Sequence, residues 1–235
     1  MSTLLLRLSA PLQSWGINAK FDRRGTLPMP TKSGVIGMVA AAMGRRRNEP
    51  IDDLNRLIFG VRIDRYGQLL RDYHTASSKK SSYVTHRYYL SDAVFLVGLE
   101  GDDSLLERIH DAIKNPVFPL FLGRRSCPPE GQVTLGVRLG KPLNEALREE
   151  EWLVSQWLRP TEEPQVRLPI VVEGTGEAEV AAFQKDQPLS FDQRHRQFGY
   201  RKVMEMPPLW VNNEHSWRRK SEHDAHDPML ALEEG

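Results

Sequence analysis

The order of the strands and helices that the sequence predicts leaves few architectures open. Alternating leucines predict a strand over Thr3–Leu8, and apolar residues at helical spacing follow from Val35 to Met43, behind a capping residue at Thr31 or Ser33. Further strands are predicted at Val61–Asp64, Leu69–Tyr73, Tyr83–Leu90, Ala93–Leu99 and Val133–Leu139, with a helix from Asp103 to Lys114 before the last. This order is that of a split βαβ unit. We therefore predict an α+β fold of the ferredoxin-like or RRM-like type.

Four further elements complete the predicted organisation. Helices are expected over Asp52–Phe59 and Asn144–Leu158, and strands over Arg167–Val172 and Tyr200–Met206, where Pro207-Pro208 ends the last strand. From residue 211 the composition turns polar. We predict one domain over residues 1–210 and a mobile tail over 211–235.

A glycine followed by two arginines is the strongest local signal for ligand binding. Gly123-Arg124-Arg125-Ser126 lies between prolines on both sides, which exclude a long helix or a central strand. Gly123 allows a sharp turn or a close approach of the backbone. Two guanidiniums, a hydroxyl and loop amides at one place suit phosphate groups. A solvated surface turn is the alternative interpretation.

Charge is unevenly distributed along the chain. Residues 1–90 contain 15 Lys and Arg against 6 Asp and Glu, whereas residues 91–235 contain 17 against 25. A basic half indicates a polyanionic partner. The alternative is that the two sets of charges pair with each other across the fold.

Several classes of protein are disfavoured by what the sequence lacks. The single Cys127 cannot form an internal disulfide, which fits a reducing cytoplasm. No apolar run approaches the roughly 20 residues that span a bilayer, so no membrane partner is expected. No Cys and His cluster has metal-site spacing, so we expect no cofactor.

Five segments, taken in order, resemble the Cas5 family of RAMP proteins in its type I-E form. They are Leu6-Arg7-Leu8 with Gln13-Ser14-Trp15-Gly16, Pro30-Thr31-Lys32-Ser33-Gly34 with the helix after it, Arg71-Asp72-Tyr73-His74-Thr75, Arg87-Tyr88-Tyr89-Leu90-Ser91-Asp92-Ala93, and Phe121-Leu122-Gly123-Arg124-Arg125-Ser126-Cys127-Pro128. The resemblance covers residues 3–140, and the C-terminal third does not match residue by residue.

The resemblance implies a ferredoxin-like domain with a protruding β-hairpin thumb and a glycine-rich loop. A hairpin at about 71–92, with Lys79-Lys80 at its tip, stands where the thumb is expected, and Gly123-Arg124-Arg125 stands where the loop is expected. The implied function is non-catalytic: binding the 5′ handle of the CRISPR guide RNA at one end of the Cascade complex. The implied partners are this crRNA, a repeated backbone subunit, a large target-recognising subunit and target DNA near the thumb.

Basic and aromatic side chains are the candidates for contacting RNA, because phosphates attract guanidiniums and unpaired bases stack on rings. They are Trp15, Arg23, Arg24, Lys32, Ser33, Arg71, Tyr73, His74, Lys79, Lys80, His86, Arg87, Arg124, Arg125 and Ser126. Core packing is an equal alternative for Trp15, and a solvated loop is one for Lys79 and Lys80.

Two other functions remain open from the sequence. A metal-independent endoribonuclease needs a base and a cation, which Tyr73-His74, His86-Arg87 and the two lysines contain. A protein-assembly module without RNA contact would use the acidic segment 144–158 and the tail, but it gives no reason for the basic half.

Overall fold

The computed structural model describes residues 1–16, 23–77, 82–174 and 182–217. The strands are β1 (Ser2–Ser9), β2 (Leu12–Gln13), β3 (Arg23–Arg24), β4 (Ile58–Arg65), β5 (Gln68–Ser77), β6 (Ser82–Ser91), β7 (Val94–Gly101), β8 (Thr134–Arg138), β9 (Gln165–Glu173), β10 (Ala182–Ser190) and β11 (Gln197–Asn212). The helices are α1 (Lys32–Ala42), α2 (Asp52–Asn55), α3 (Asp103–Lys114) and α4 (Leu143–Glu149), with a 3-10 turn over Arg159–Thr161. The mixed α and β composition that the sequence predicts is confirmed.

A seven-stranded antiparallel sheet forms the centre, in the order β10-β11-β9-β4-β7-β1-β8. Successive residues of a strand face opposite sides, and β1 shows this directly. Leu4, Leu6 and Leu8 pack with α1 and α3 on one face, and Leu5 packs with α4 on the other. Both faces of the sheet are therefore covered, which explains why β1 is buried along nearly its whole length.

A smaller sheet in the order β2-β6-β3, with β5 on β6, holds the predicted hairpin. β5 and β6 pair without a register shift from Gln68 opposite Ser91 to Ser77 opposite Ser82. The hairpin expected at 71–92 is thus present, and it begins slightly earlier. Lys79 and Lys80, its predicted tip, lie outside the described residues.

Two predicted helices are shorter than the sequence indicates. α2 ends at Asn55, because the chain from Ile58 onward enters the sheet as β4 between β7 and β9. α4 ends at Glu149 rather than Leu158, because the buried guanidinium of Arg62 binds carbonyl oxygens of the last turn of the helix and of the two residues after it. Arg62 Nη1 donates to the carbonyls of Leu147 and Glu150 at 2.7 and 2.6 Å, and Nη2 donates to that of Glu151 at 2.7 Å.

The C-terminal part is more ordered than a mobile tail from residue 211 would be. β10 is a strand that the sequence analysis did not predict, and β11 continues past Pro207-Pro208 through a shift in register between Met206 and Leu209. Asn213 is buried, and its Nδ2 donates to the carbonyl of Arg159 at 2.7 Å. Residues 211–217 are therefore not part of a mobile tail, and residues 218–235 lie outside the described part. No helix among the described residues is long and apolar enough to cross a membrane.

Candidate nucleic-acid interface

Three segments that are far apart in sequence meet on the small sheet. Arg124 places its guanidinium carbon 4.7 Å from the centre of the Tyr89 ring, and its Nη2 donates to the carbonyl of Arg24 at 2.7 Å. β3 runs parallel to β6, which sets Arg24 opposite Arg87. Because Arg87 and Tyr89 are two residues apart in one strand, they lie on the same face. The structure thereby brings three of the predicted arginines to one part of the small sheet, where Arg124 stacks on Tyr89.

Gly123 sets the position of this loop against the core. It has a φ of +83°, and a Cβ built on it would lie 1.7 Å from the carbonyl oxygen of Ser14. The amide of Ser14 donates to the carbonyl of Leu122 at 3.2 Å, and Cys127 accepts from the amide of Leu122 at 2.7 Å. Such a close approach of two backbones is possible only for glycine. The loop that carries Arg124 is therefore anchored, while Arg125 and Ser126 are exposed beside it.

Two guanidinium nitrogens on this surface have incomplete hydrogen bonding. Arg87 Nε and Arg124 Nη1 are buried and have no acceptor among the described residues. A buried donor without an acceptor costs on the order of 1–3 kcal/mol and favours a structure that supplies one. Together with the exposed Arg24 and Arg125, these groups form a basic face. Asp72 stands opposite Arg87 in the pairing of β5 and β6, but among the described residues no ion pair joins a carboxylate to these arginines.

The opposite face of the hairpin carries a second set of predicted residues. The side chain of Arg71 lies 3.2 Å from His86 Nδ1, and the ring centres of Tyr73 and His86 are 5.8 Å apart in an edge-to-face arrangement. Tyr73 is 66 % exposed, so a base has access to its ring. His74 is exposed on the other side of the strand, away from this group.

Trp15 is not available to stack on a base. It is 1 % exposed, and its Nε1 donates to Gln13 Oε1 at 3.2 Å. A Cβ added at Gly34 would lie 2.9 Å from the indole, which shows how closely α1 packs on the ring. The prediction of an RNA contact is wrong for this conformation, because the side chain belongs to the core.

Lys32 is also a structural residue rather than a phosphate ligand. It is buried, and its Nζ donates to Glu173 Oε2 at 2.9 Å. Burial lowers the pKa of Lys32, although Glu173 opposes this effect. The start of α1 is not free for a phosphate either, because the amide of Lys32 donates to Asp186 Oδ2 at 2.9 Å. A carboxylate at this position stabilises the positive end of the helix.

The remaining predicted residues fall into two groups. The Ser33 hydroxyl lies 3.4 Å from Thr31 Oγ1, which itself accepts the amide of Gly34 as the cap of α1. Ser33 is therefore part of the helix start. Arg23 belongs to β3 by its backbone, but its side chain, like Lys79 and Lys80, lies outside what the structure describes.

Tyr89 is a component of the interface that sequence reasoning missed. Tyr89 is 5 % exposed, and its ring packs against the guanidinium of Arg124, which lies 35 positions later in the chain. No local pattern links the two residues, which come together through tertiary contacts: Ser14 bonds to both Leu122 and Tyr88, and Arg124 bonds to Arg24 of β3. Within the described chain, no cluster of three or more His, Cys, Asp and Glu residues could hold a metal ion.

Comparison with known proteins gives a consistent result. The family model described as CRISPR-associated protein (Cas_Cas5) matches residues 3–204. The CRISPR system Cascade subunit CasD of Escherichia coli (strain K12) is 30% identical over 203 residues, which are 72% of this chain and 91% of that protein. Two solved structures are similar. One, described as a Cas protein, has a TM-score of 0.68 and 41% identity and covers 91% of this chain and 97% of its own. The other, described as a CRISPR RNA-guided surveillance complex, has a TM-score of 0.73 and 32% identity and covers 94% and 98%.

Proposed function

The chain belongs to the Cas5 family of CRISPR-associated proteins, and from this premise we propose that it is a non-catalytic, crRNA-binding subunit of a type I-E Cascade complex. Its task is to hold the 5′ handle of the crRNA and to cap that end of the complex. This role supports recognition of foreign DNA by the guide in the cytoplasm.

The observation that carries the proposal is the position of Arg124. Its guanidinium lies on Tyr89, beside β3 and next to the exposed Arg125, although these residues come from three separate parts of the chain. Arginines bind phosphates through paired donors, so the anchored Arg124 and the exposed Arg125 next to a glycine turn suit an RNA backbone. The exposed ring of Tyr73 adds a surface for a base on the other side of the hairpin.

The partners that we propose follow the arrangement of the surfaces. The hairpin β5–β6 acts as the thumb, folds over the RNA at the first spacer position and approaches target DNA with its tip. The repeated backbone subunit and the large target-recognising subunit contact this chain beside the bound handle. The similarity to a chain of an RNA-guided surveillance complex supports an assembly of this kind.

We also interpret the core as ferredoxin-like. Along the chain, β1, α1, β4, β7, α3 and β8 follow one another, and in the sheet the four strands stand in the order β4-β7-β1-β8. This supports a βαββαβ unit with the hairpin inserted between its second and third strands. β9, β10 and β11 then extend the sheet on one side.

An endoribonuclease is the competing function, and one observation bears on it. Arg71, Tyr73 and His86 lie together on an exposed face, which supplies a cation and a group that could accept a proton. The two functions differ in the fate of the RNA.

The test is an assay of end-labelled repeat RNA with the purified protein in EDTA, with and without its partner subunits. We expect intact, retarded RNA on native gels and no cleavage on denaturing gels. The variant R124A/R125A should weaken assembly on RNA by about tenfold or more and flatten its dependence on salt, because fewer counterions are released. E107Q, at an exposed position of α3, serves as a control for surface substitution. Cleavage that H86A or H74A abolishes would overturn the non-catalytic role, and an unchanged salt slope would remove Arg124 and Arg125 from the interface.

A further inference from the structure

A row of aromatic and basic side chains runs along the edge pair β10–β11, away from the interface described above. β11 contributes Phe198, Tyr200 and Lys202, β10 contributes Phe183 and Lys185, and Arg196 lies directly before β11. We call these six residues the β10–β11 stripe. The pairing shifts between Gln184 and Gln187, where β10 has one extra residue opposite Tyr200. β11 itself continues as a strand, so residues 198, 200 and 202 alternate with their neighbours and point to one face.

Each ring of the stripe has a cation close to it. Arg196 lies with its guanidinium carbon 5.1 Å from the centre of Phe198, and Lys185 Nζ lies 5.7 Å from the centre of Tyr200. Phe183 stands directly opposite Lys202 in the pairing of the two strands. Phe183 is 65 % exposed and Tyr200 is 68 % exposed, so both rings are open to a ligand.

The cations of the stripe are not used within the described part of the fold. Lys185, Arg196 and Lys202 make no ion pair with any residue that the structure describes. Burial, and then repulsion from Arg47, lower the pKa of Arg196. The accumulation of unpaired positive charge calls for a negatively charged partner.

We propose that the β10–β11 stripe is a second binding surface for single-stranded nucleic acid, separate from the hairpin and the glycine loop. Phe183 and Tyr200 stack on unpaired bases, and Lys185, Arg196 and Lys202 neutralise the phosphates between them. Phe183 pairs with Lys202, which lies two residues and about 7 Å along β11 from Tyr200, and this leaves room for a base at each ring. Sheets that bind single strands use this combination of rings and basic residues.

A protein partner fits the stripe less well. Lysine is depleted at the centre of protein interfaces, where its charge must be desolvated, whereas here lysines stand directly beside the exposed rings. Tyr200 and Lys202 share the face of Met204, which packs with α4, whereas Leu122, beside Gly123, belongs to the core cluster of α1. One strand of nucleic acid can therefore occupy it while another is held at the hairpin.

The test measures fluorescence anisotropy of labelled oligo(dT) and oligo(U) in the R124A/R125A background, where binding at the glycine loop is already reduced. Adding F183A/Y200A should lower the affinity for at least one oligonucleotide by about tenfold or more. Adding K185Q/K202Q should lower it and reduce the salt slope. W157A removes a ring that is 74 % exposed outside the stripe and should leave the affinity unchanged.

The outcomes separate this proposal from the others. A loss for only oligo(dT) or only oligo(U) identifies the strand as DNA or RNA, and an equal loss shows a platform that ignores the sugar. Unchanged affinity for both oligonucleotides in F183A/Y200A overturns the proposal. So does loss of assembly with partner subunits while oligonucleotide binding is intact, because the stripe would then be a protein-docking surface. None of these results alters the assignment of Arg124 and Arg125.

Discussion

Gly123 determines where Arg124 is held, although it contributes no side chain of its own. Replacing it by alanine places a methyl group 1.7 Å from the Ser14 carbonyl and forces a residue with a side chain to a φ of +83°. We expect G123A to lose about 1–3 kcal/mol of stability and to weaken assembly on RNA, because the loop must move away from Tyr89. Thermal melting and a native gel measure the two effects.

The control is G25A, since a Cβ at Gly25 has no heavy atom within 4 Å. It lies beside the same surface, and Arg124 Nη2 is 3.3 Å from its carbonyl oxygen. G25A should therefore keep both stability and RNA binding. Equal losses in the two variants would show that this surface tolerates no added methyl group at either glycine. That result would contradict the special role of Gly123.

At the level of single residues, the sequence predicts turns and hydrogen-bond donors better than it predicts burial. The loop Gly123-Arg124-Arg125 was predicted from residue types, because the turn and the donors are local properties. Trp15 and Lys32 were assigned to RNA, yet both are 1 % exposed. Their burial depends on Gly34 and on Glu173, which no pattern within their own segments reveals.

Shortening the hairpin β5–β6 tests its contribution to RNA binding separately from its contribution to folding. Residues 75–84 lie beyond the positions where β2 and β3 pair with β6, which are Leu90, Ser91, His86 and Arg87. Replacing residues 75–84 by Asn-Gly would join His74 to Thr85, which already face each other, through a two-residue turn. The shortened chain should melt at a similar temperature.

We expect the shortened hairpin to bind RNA more weakly by about tenfold, because it lacks the outer strands and their tip. Y73A, which keeps the full length and removes one exposed ring, should show a loss of similar size, since stacking on one base contributes about 1–3 kcal/mol. Gel retardation with partner subunits present measures both. Full affinity in the shortened chain would rule out a role for the hairpin as a thumb.

Elements were predicted best where periodicity and capping agreed. α3 was predicted from Asp103 to Lys114, the span that the structure has. β4 was divided between a helix and a strand, because the segment from Asp52 to Asp64 satisfies the helical period at its start and enters the sheet only through pairing with β7 and β9. β10 was missed because polar residues and Pro188 interrupt its alternation.

For the whole molecule, the uneven charge has two explanations that are both present in the structure. Lys32 and Arg65 of the basic half pair with Glu173 and Glu162 of the acidic half. Arg24, Arg71 and Arg125 remain exposed near the hairpin and the glycine loop. Some basic side chains therefore form ion pairs with the acidic half of the chain, and the remaining ones are available for a polyanion.

Asp186 is the centre of the contacts that join the C-terminal strands to α1. It is fully buried, and it accepts the amide of Lys32 and two nitrogens of Arg201, each at 2.9 Å. D186N keeps the shape but leaves the buried Arg201 without its countercharge, so we expect a loss of about 3–5 kcal/mol. D52N, at an exposed position of α2, is the control and should change stability little.

Hydrogen exchange would measure which strands lose stability in D186N. Because Asp186 ties β10 and β11 to the start of α1, amides of these strands should exchange faster in D186N, while those of β1 and β7 in the centre of the sheet stay protected. Uniform loss of protection would instead mean that the extension β9–β11 and the core unfold as one unit. In that case RNA binding at the hairpin would fall in parallel with stability, whereas a local opening leaves it intact and impairs only the β10–β11 stripe.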